Sequence, residues 1–240
     1  MDEEINVNKI KYSALCTLLV LTFPVFAFPY HILNNLTSTF SFVFLRWSST
    51  PVNLRVDPGT LGGGDGQEII VEACEVWNSV PNTRQLCGNL TNFPVDITVN
   101  NFQSMTSNSN GSIDVVFDET GEVLTELGLS PNSTLGVALV SSNINNGEIR
   151  GVLFVLNGKI LSNSNSDPLS TAVHEMGHGW GLAHIPIGGI NNSNNVSGLE
   201  PIDTSAIPSM FPFNIPDDDA FGRTLEIDDK VGISVRYPSN

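Results

Sequence analysis

The sequence has few basic residues and few cysteines. It holds 10 Lys and Arg against 25 Asp and Glu, which gives a formal net charge of −15, and no basic patch occurs along the chain. This balance argues against nucleic acid as a partner. Three cysteines are too few for a disulfide-rich scaffold, and 240 residues with 40% hydrophobic content suit one globular domain with short additions.

The chain also lacks a hydrophobic run that is long enough for a convincing membrane span. The apolar run from about residue 14 to 28 is short and is interrupted by Pro24. It predicts a secretory signal over residues 1–27, with cleavage after Ala27. We therefore expect a secreted, extracellular protein with no stable membrane span after signal removal. An uncleaved N-terminal membrane anchor is the alternative.

The predicted signal decides which cysteines would remain in the exported protein. Cys16 would leave with the signal, and Cys74 and Cys87 would remain as a pair in an exported protein. We expect a disulfide between them, which would tie the first predicted helix to the loop after it. Two unpaired, buried thiols are the alternative.

Histidine is scarce too, yet three of the four histidines fall within His174-Glu175-Met176-Gly177-His178-Gly179-Trp180-Gly181-Leu182-Ala183-His184. Residues four apart share one face of a helix, so His174 and His178 can each offer a ring nitrogen to one metal ion. Gly181 tolerates the left-handed conformation that ends many helices, which allows His184 to turn back toward the same ion. The alternative is a set of ordinary helix histidines beside a solvated Glu175.

Three neutral ligands and an adjacent carboxylate are typical of a hydrolytic zinc site. They leave one position of a tetrahedral zinc for a water, whose pKa then falls to about 7. Glu175 follows the first ligand directly and can act as the general base. Ser166 or Asp167 is the candidate N-cap of the helix, with Pro168 at its first position. Only one more histidine exists, so we expect one catalytic Zn²⁺.

Short apolar or alternating runs ahead of this helix predict strands, and longer periodic runs predict helices. The strands are Val52–Val56, Val95–Val99, Ile113–Phe117, Leu135–Val140 and Gly151–Leu156; the helices are Glu68–Asn78, Leu169–Trp180 and Ile227–Val235. They predict an α+β fold with a mixed five-stranded sheet, two packed helices, the zinc-site helix, and a small C-terminal subdomain that ends in a helix. A short N-terminal segment, 28–45, would precede a domain over residues 46–240.

The histidine pattern resembles HExxHxxGxxH, the zinc signature of the metzincin metalloproteases, which implies a metzincin-like catalytic domain. The family has a methionine turn beneath the zinc, and Met210 resembles that methionine, although Met is also an ordinary core residue. Within the clan, the chain is most similar to the matrixins, the matrix metalloprotease family. The family pattern LxxDDxxGIxxxY is matched by Leu225, Asp228, Asp229, Gly232, Ile233 and Tyr237. The same segment also fits an amphipathic helix with Ile227, Val231 and Val235 facing the core.

The resemblance also implies a substrate. Leu135–Val140 is similar to the family's edge strand, along which an extended peptide or protein substrate pairs as an added strand. A plain core strand is the alternative. The predicted function is a secreted zinc endopeptidase that acts as a monomer. The alternatives are a secreted binding or adhesion module with non-catalytic zinc, and hydrolysis of a non-peptide amide.

Acidic pairs and clusters are candidate calcium sites. Asp118-Glu119 and residues 217–219 offer the carboxylate oxygens that Ca²⁺ prefers, but no EF-hand loop is present. Solvated turns are the alternative, and the one we favour.

Overall fold

The computed structural model describes residues 32–34, 42–163, 166–184, 209–210 and 222–239. The predicted signal lies outside these residues. In chain order the elements are β1 (Ile32–Asn34), β2 (Phe42–Phe44), β3 (Val52–Val56), β4 (Thr60–Leu61), β5 (Gly64–Asp65), α1 (Gly66–Asn78), β6 (Cys87–Asn92), α2 (Phe102–Met105), β7 (Ile113–Phe117), α3 (Glu122–Glu126), β8 (Gly136–Ser142), β9 (Ile149–Leu156), α4 (Gly158–Leu161), α5 (Pro168–Gly179) and α6 (Ile227–Arg236).

A five-stranded sheet organises these elements. Its spatial order is β6-β3-β7-β9-β8, so β6 and β8 are the two edges. The first four strands pair in parallel, and β8 pairs antiparallel with β9. The predicted α+β class and mixed sheet are therefore confirmed, and Leu135–Val140 falls at an edge and not in the centre.

Alternating side chains on the central strands separate the two faces of the sheet. On β7, Val115 packs into the cluster that contains the helices α1 and α5, whereas Val116 packs into a second cluster beneath α2 and α3. The two long helices are also joined directly, because Trp77 Nε1 donates to the carbonyl of Val173 at 3.0 Å. Helix α5 thus lies on a rigid layer, next to β8 and β9.

The predicted strand Val95–Val99 is wrong. Val95 is 51% exposed, and the N–H of Ile97 donates to the buried carboxylate of Asp57 instead of to a neighbouring strand. The apolar residues that alternate there anchor a loop: Ile97 is buried, and Val99 packs against the second cluster. The fifth strand of the sheet is instead β6, one of its two edges. Three of its six residues are exposed, and its polar sequence gives no strand signal.

The inward face predicted for the C-terminal helix is also wrong. Ile227, Val231 and Val235 are 75%, 47% and 60% exposed. The buried face consists of Asp229, Gly232, Ile233 and Arg236. The residues of the family-like pattern therefore face the core, apart from Asp228, which is exposed, and the more apolar stripe of the helix faces outward.

The two cysteines lie at disulfide distance. Cys74 of α1 and Cys87 of β6 have Cα atoms 5.8 Å apart, and both side chains are buried. They connect the first long helix to an edge of the sheet, where the sequence had indicated a loop. Among the described residues, no helix is both long and apolar enough to cross a lipid bilayer.

Candidate metal centre

The helix that carries two of the histidines begins where the sequence predicts. Asp167 is its N-cap and accepts a hydrogen bond from the N–H of Leu169 at 3.0 Å, with Pro168 at the first helical position. Leu169, Ala172, Val173 and Met176 are all buried, so the apolar face holds α5 against the sheet. His174 and His178 project from the other side, one turn apart.

The chain turns sharply after this helix. Gly181 has a φ of +88°, and its N–H donates to the carbonyl of His178 at 2.9 Å. The N–H of Leu182 then donates back to the carbonyl of Gly177 at 2.9 Å, which closes the helix end. This turn reverses the chain and brings His184 to the other two histidines, as the position of Gly181 in the sequence predicts.

The three imidazoles converge. Nε2 of His184 lies 3.1 Å from Nε2 of His174 and 3.0 Å from Nε2 of His178. Three ligands at the usual Zn–N distance would have nitrogens about 3.3 Å apart in a tetrahedral site. In the part of the chain that the structure describes, this triad is the only group of three or more His, Cys, Asp or Glu side chains that could share one metal ion.

Backbone carbonyls fix the tautomers of two of these rings. Nδ1 of His174 lies 2.6 Å from the carbonyl oxygen of Ser209, and Nδ1 of His178 lies 2.9 Å from that of Leu182. A carbonyl oxygen can only accept, so each Nδ1 donates and the Nε2 of each neutral ring carries a lone pair. Both lone pairs point at the same small region beside His184. A cation suits this donor set, and neutral histidine nitrogen is a preferred ligand of Zn²⁺ and of several other transition metals.

Glu175 lies beside the triad and is buried. It is 6% exposed, and desolvation raises its pKa from 4.5 to about 8. A Cβ placed on Gly136 would lie 2.9 Å from Cγ and 3.0 Å from Oε1 of Glu175, so the start of edge strand β8 lies directly against this carboxylate. The sequence did not single out Gly136, because its role depends on a contact between two elements.

Met210 is fully buried beneath the same helix. A Cβ on Gly177 would collide with Met210 Sδ and would lie 3.1 Å from its Cε. Met210 therefore sits against the helix turn between His174 and His178. Gly177 is required for this close approach.

A second set of contacts reaches the triad from α6. The carboxylate of Asp229 accepts hydrogen bonds from the N–H of Ser209 at 2.9 Å and of Glu226 at 3.0 Å. Ser209 in turn accepts from His174 through its carbonyl. Asp229 thereby helps to orient the His174 ring through the backbone of Ser209, and burial raises the pKa of the Asp229 carboxyl group above its ordinary value. The sequence matched Asp229 to a family pattern but could not reveal that it supports His174 through a backbone atom.

Only one member of the acidic pair at 118–119 is solvated, because Glu119 is exposed and Asp118 is buried. The carboxylate of Asp118 is buried and accepts from the N–H groups of Gly121 and Leu124 at 2.9 Å and 2.8 Å, which anchors the short helix α3. Glu119 accepts from the hydroxyl of Thr60. These bonds explain the acids without calcium. Residues 217–219 lie outside the described part of the chain.

No model of a known protein family matches this sequence, and no curated protein matches it either.

Proposed function

We propose that the chain is a secreted zinc-dependent endopeptidase related to the metzincins. The observation that carries this proposal is the convergence of three imidazole nitrogens, two with their tautomers fixed by backbone carbonyls, beside one buried carboxylate. A purely structural metal site has no need of a glutamate at this position.

The residues fit a division of roles. His174, His178 and His184 would hold the ion. When bound, zinc would supply a Lewis acid that lowers the pKa of a water in its open fourth position to about 7. Glu175 would accept the proton of the attacking water on a carboxylate oxygen and later donate it to the leaving amine.

The environment of Glu175 supports this role. Burial alone raises its pKa to about 8, which keeps it protonated at neutral pH in the metal-free protein. A nearby cation favours the charged form and opposes this shift. The two effects together would bring the pKa of Glu175 toward neutrality, where a residue can both accept and donate a proton.

The open edge of β8 supports a peptide substrate. Within the described part of the chain, strand β8 pairs on one side only, with β9, and its first residue, Gly136, lies against Glu175. An extended peptide that paired with this edge would pass the carboxylate with its backbone, which suits an enzyme that hydrolyses backbone amides.

Replacing Glu175 with Gln tests the proposal. We expect Glu175→Gln to bind zinc with unchanged stoichiometry and to lose cleavage of a diverse peptide library by at least about hundredfold, because the amide cannot accept the proton. Zinc content by elemental analysis and peptide cleavage by mass spectrometry are the two measurements. Chelator should abolish wild-type cleavage, and zinc should restore it.

Glu72→Gln is the matched control, because Glu72 is an exposed glutamate on α1. This variant should keep full activity. A Glu175→Gln protein with wild-type activity would contradict the mechanism. A folded wild-type protein that holds one zinc and cleaves no peptide would instead favour a binding module.

A further inference from the structure

The hairpin between β8 and β9 carries an exposed apolar side chain at its tip. Ile144 is 66% exposed, and its neighbours in the loop are the polar residues Asn143, Asn145 and Asn146. Ile144 follows β8 by two residues, so it lies at the end of the same open edge that starts beside Glu175.

The tip is held in one conformation by backbone hydrogen bonds. The N–H of Asn143 donates to the carbonyl of Glu148 at 2.8 Å, and the N–H of Gly147 donates to that of Asn143 at 2.8 Å. Arg46 fixes the loop to the rest of the domain, because its N–H donates to the carbonyl of Gly147 at 3.0 Å. The loop is therefore already ordered before a partner contacts Ile144. The contact costs this protein little conformational entropy.

The distance along the strand fixes which residue of a bound peptide can reach Ile144. The seven residues of β8 from Gly136 to Ser142 span about 20 Å at the rise of an extended strand. A peptide paired residue by residue with β8 would thus reach Ile144 about seven to nine residues away from the bond that lies beside Glu175. Antiparallel pairing is slightly more stable per residue than parallel pairing, and it places the N-terminal part of the peptide at this end.

We propose that Ile144 is a remote specificity residue, which contacts an apolar side chain of the substrate about seven to nine residues N-terminal to the scissile bond. The inference rests on the proposed function, since it needs a peptide that is cleaved beside Glu175. It assigns the enzyme a preference for long substrates that carry an aliphatic residue at this distance. The contact acts on binding and leaves the chemical step unchanged.

The test uses a short peptide that the enzyme cleaves, together with forms extended at the N-terminus. Each extended peptide carries one Leu at a position from six to ten residues before the scissile bond, in an otherwise Ser- and Gly-rich extension. For the wild-type protein we expect one or two of these positions to lower KM by about fivefold, with kcat unchanged, as partial burial of one aliphatic pair would give. An extension at the C-terminus should give no such gain.

Two variants decide whether Ile144 is responsible. Ile144→Ser should abolish the gain in KM and leave cleavage of the short peptide unchanged. Val95→Ser is the matched control, since Val95 is another exposed apolar residue, 51% exposed, and follows β6 at the opposite edge of the sheet. It should keep the gain.

The outcomes separate the two proposals. Persistence of the gain in Ile144→Ser, its absence in the wild type, or a gain with C-terminal extensions only would overturn the role of Ile144 while short-peptide cleavage stands. A wild-type protein that cleaves neither short nor long peptides would overturn the endopeptidase proposal, and the role of Ile144 with it.

Discussion

A single glycine sets the direction in which the chain leaves the helix that carries His174 and His178. At a φ of +88°, Gly181 adopts a conformation that side chains with a Cβ rarely adopt. A Cβ there would also collide with the carbonyl oxygen of Leu45. The position thus combines a backbone requirement with a steric one, and His184 depends on both.

Replacing Gly181 with Ala tests the steric requirement apart from the backbone requirement. Gly181→Ala should destabilise the fold by more than about 2 kcal/mol, through the left-handed conformation and the collision. It should also weaken zinc binding, because His184 would shift. Gly111→Ala is the control, since Gly111 has a φ of +78° and nothing lies within 4 Å of an added Cβ.

The control should cost only about 1–2 kcal/mol and leave zinc affinity unchanged. Denaturant unfolding and zinc titration measure the two quantities. Equal effects of the two substitutions on stability and on zinc affinity would show that the contact with Leu45 has no part in placing His184.

At the scale of the element, helix α6 shows that contacts with neighbouring parts of the fold decide which face of a helix is buried. Asp229 anchors the inward face through Ser209, and Tyr237 at the end of the helix donates from its hydroxyl to the carbonyl of Trp180 at 3.1 Å. These bonds orient α6 with the face that carries Asp229 and Ile233 inward. Its apolar stripe is left exposed.

Two isoleucines of this helix give a matched test. Ile233 is fully buried, whereas Ile227 is 75% exposed. Ile233→Ala should lower the free energy of unfolding by about 2–5 kcal/mol, because it removes buried methyl groups and leaves a cavity. Ile227→Ala should change it by no more than about 0.5 kcal/mol. Denaturant unfolding measures both, and a larger loss at Ile227 would contradict the orientation of the helix.

At the scale of the whole molecule, the metal centre joins distant parts of the chain. Two of the three candidate ligands lie on α5, the third follows the turn, and the ring of His174 is oriented by Ser209, which is itself held by Asp229 of α6. The unfolded chain has no such arrangement. An ion held by these histidines would therefore stabilise the fold that creates the site.

Metal and pH should act together on the stability of the protein. Zinc at a thousand times its Kd should raise the free energy of unfolding by about 4 kcal/mol at pH 7.5. This gain should decline as the pH falls below about 6.5, because protons compete for the same ring nitrogens. Thermal unfolding with zinc and with chelator, at several pH values, measures it.

The metal-free protein should show a weaker trend in the same direction. Burial lowers the pKa of His174 below its ordinary value of 6.5. Its neutral form is favoured by folding, so this stability is present above pH 6.5 and is lost as the pH falls through the lower pKa of the folded state.

His184→Ala is the control for the zinc experiment and should lose most of the stabilisation by zinc. The same zinc effect in this variant would show that the ion binds elsewhere.

The sequence by itself determined the local features of this protein. The spacing of His174 and His178, the N-cap at Asp167 and the turn at Gly181 follow from helix geometry and backbone conformation within a few residues. The α+β class and four of the five strands of the sheet follow from short-range periodicity in the same way. Each of these features depends on interactions between residues that are close together along the chain, so one sequence is enough to predict them.

Tertiary structure decided what depends on contacts between distant residues. The edge strand β6, the outward stripe of α6 and the anchoring of Asp118 go against local pattern, because hydrogen bonds and packing across the fold determine them. The contact of Gly136 with Glu175 and the support of His174 by Ser209 and Asp229 join residues that are 20 or more positions apart. Local periodicity carries no information about such pairs, and backbone carbonyls, which orient both helical histidines, are the same in every sequence.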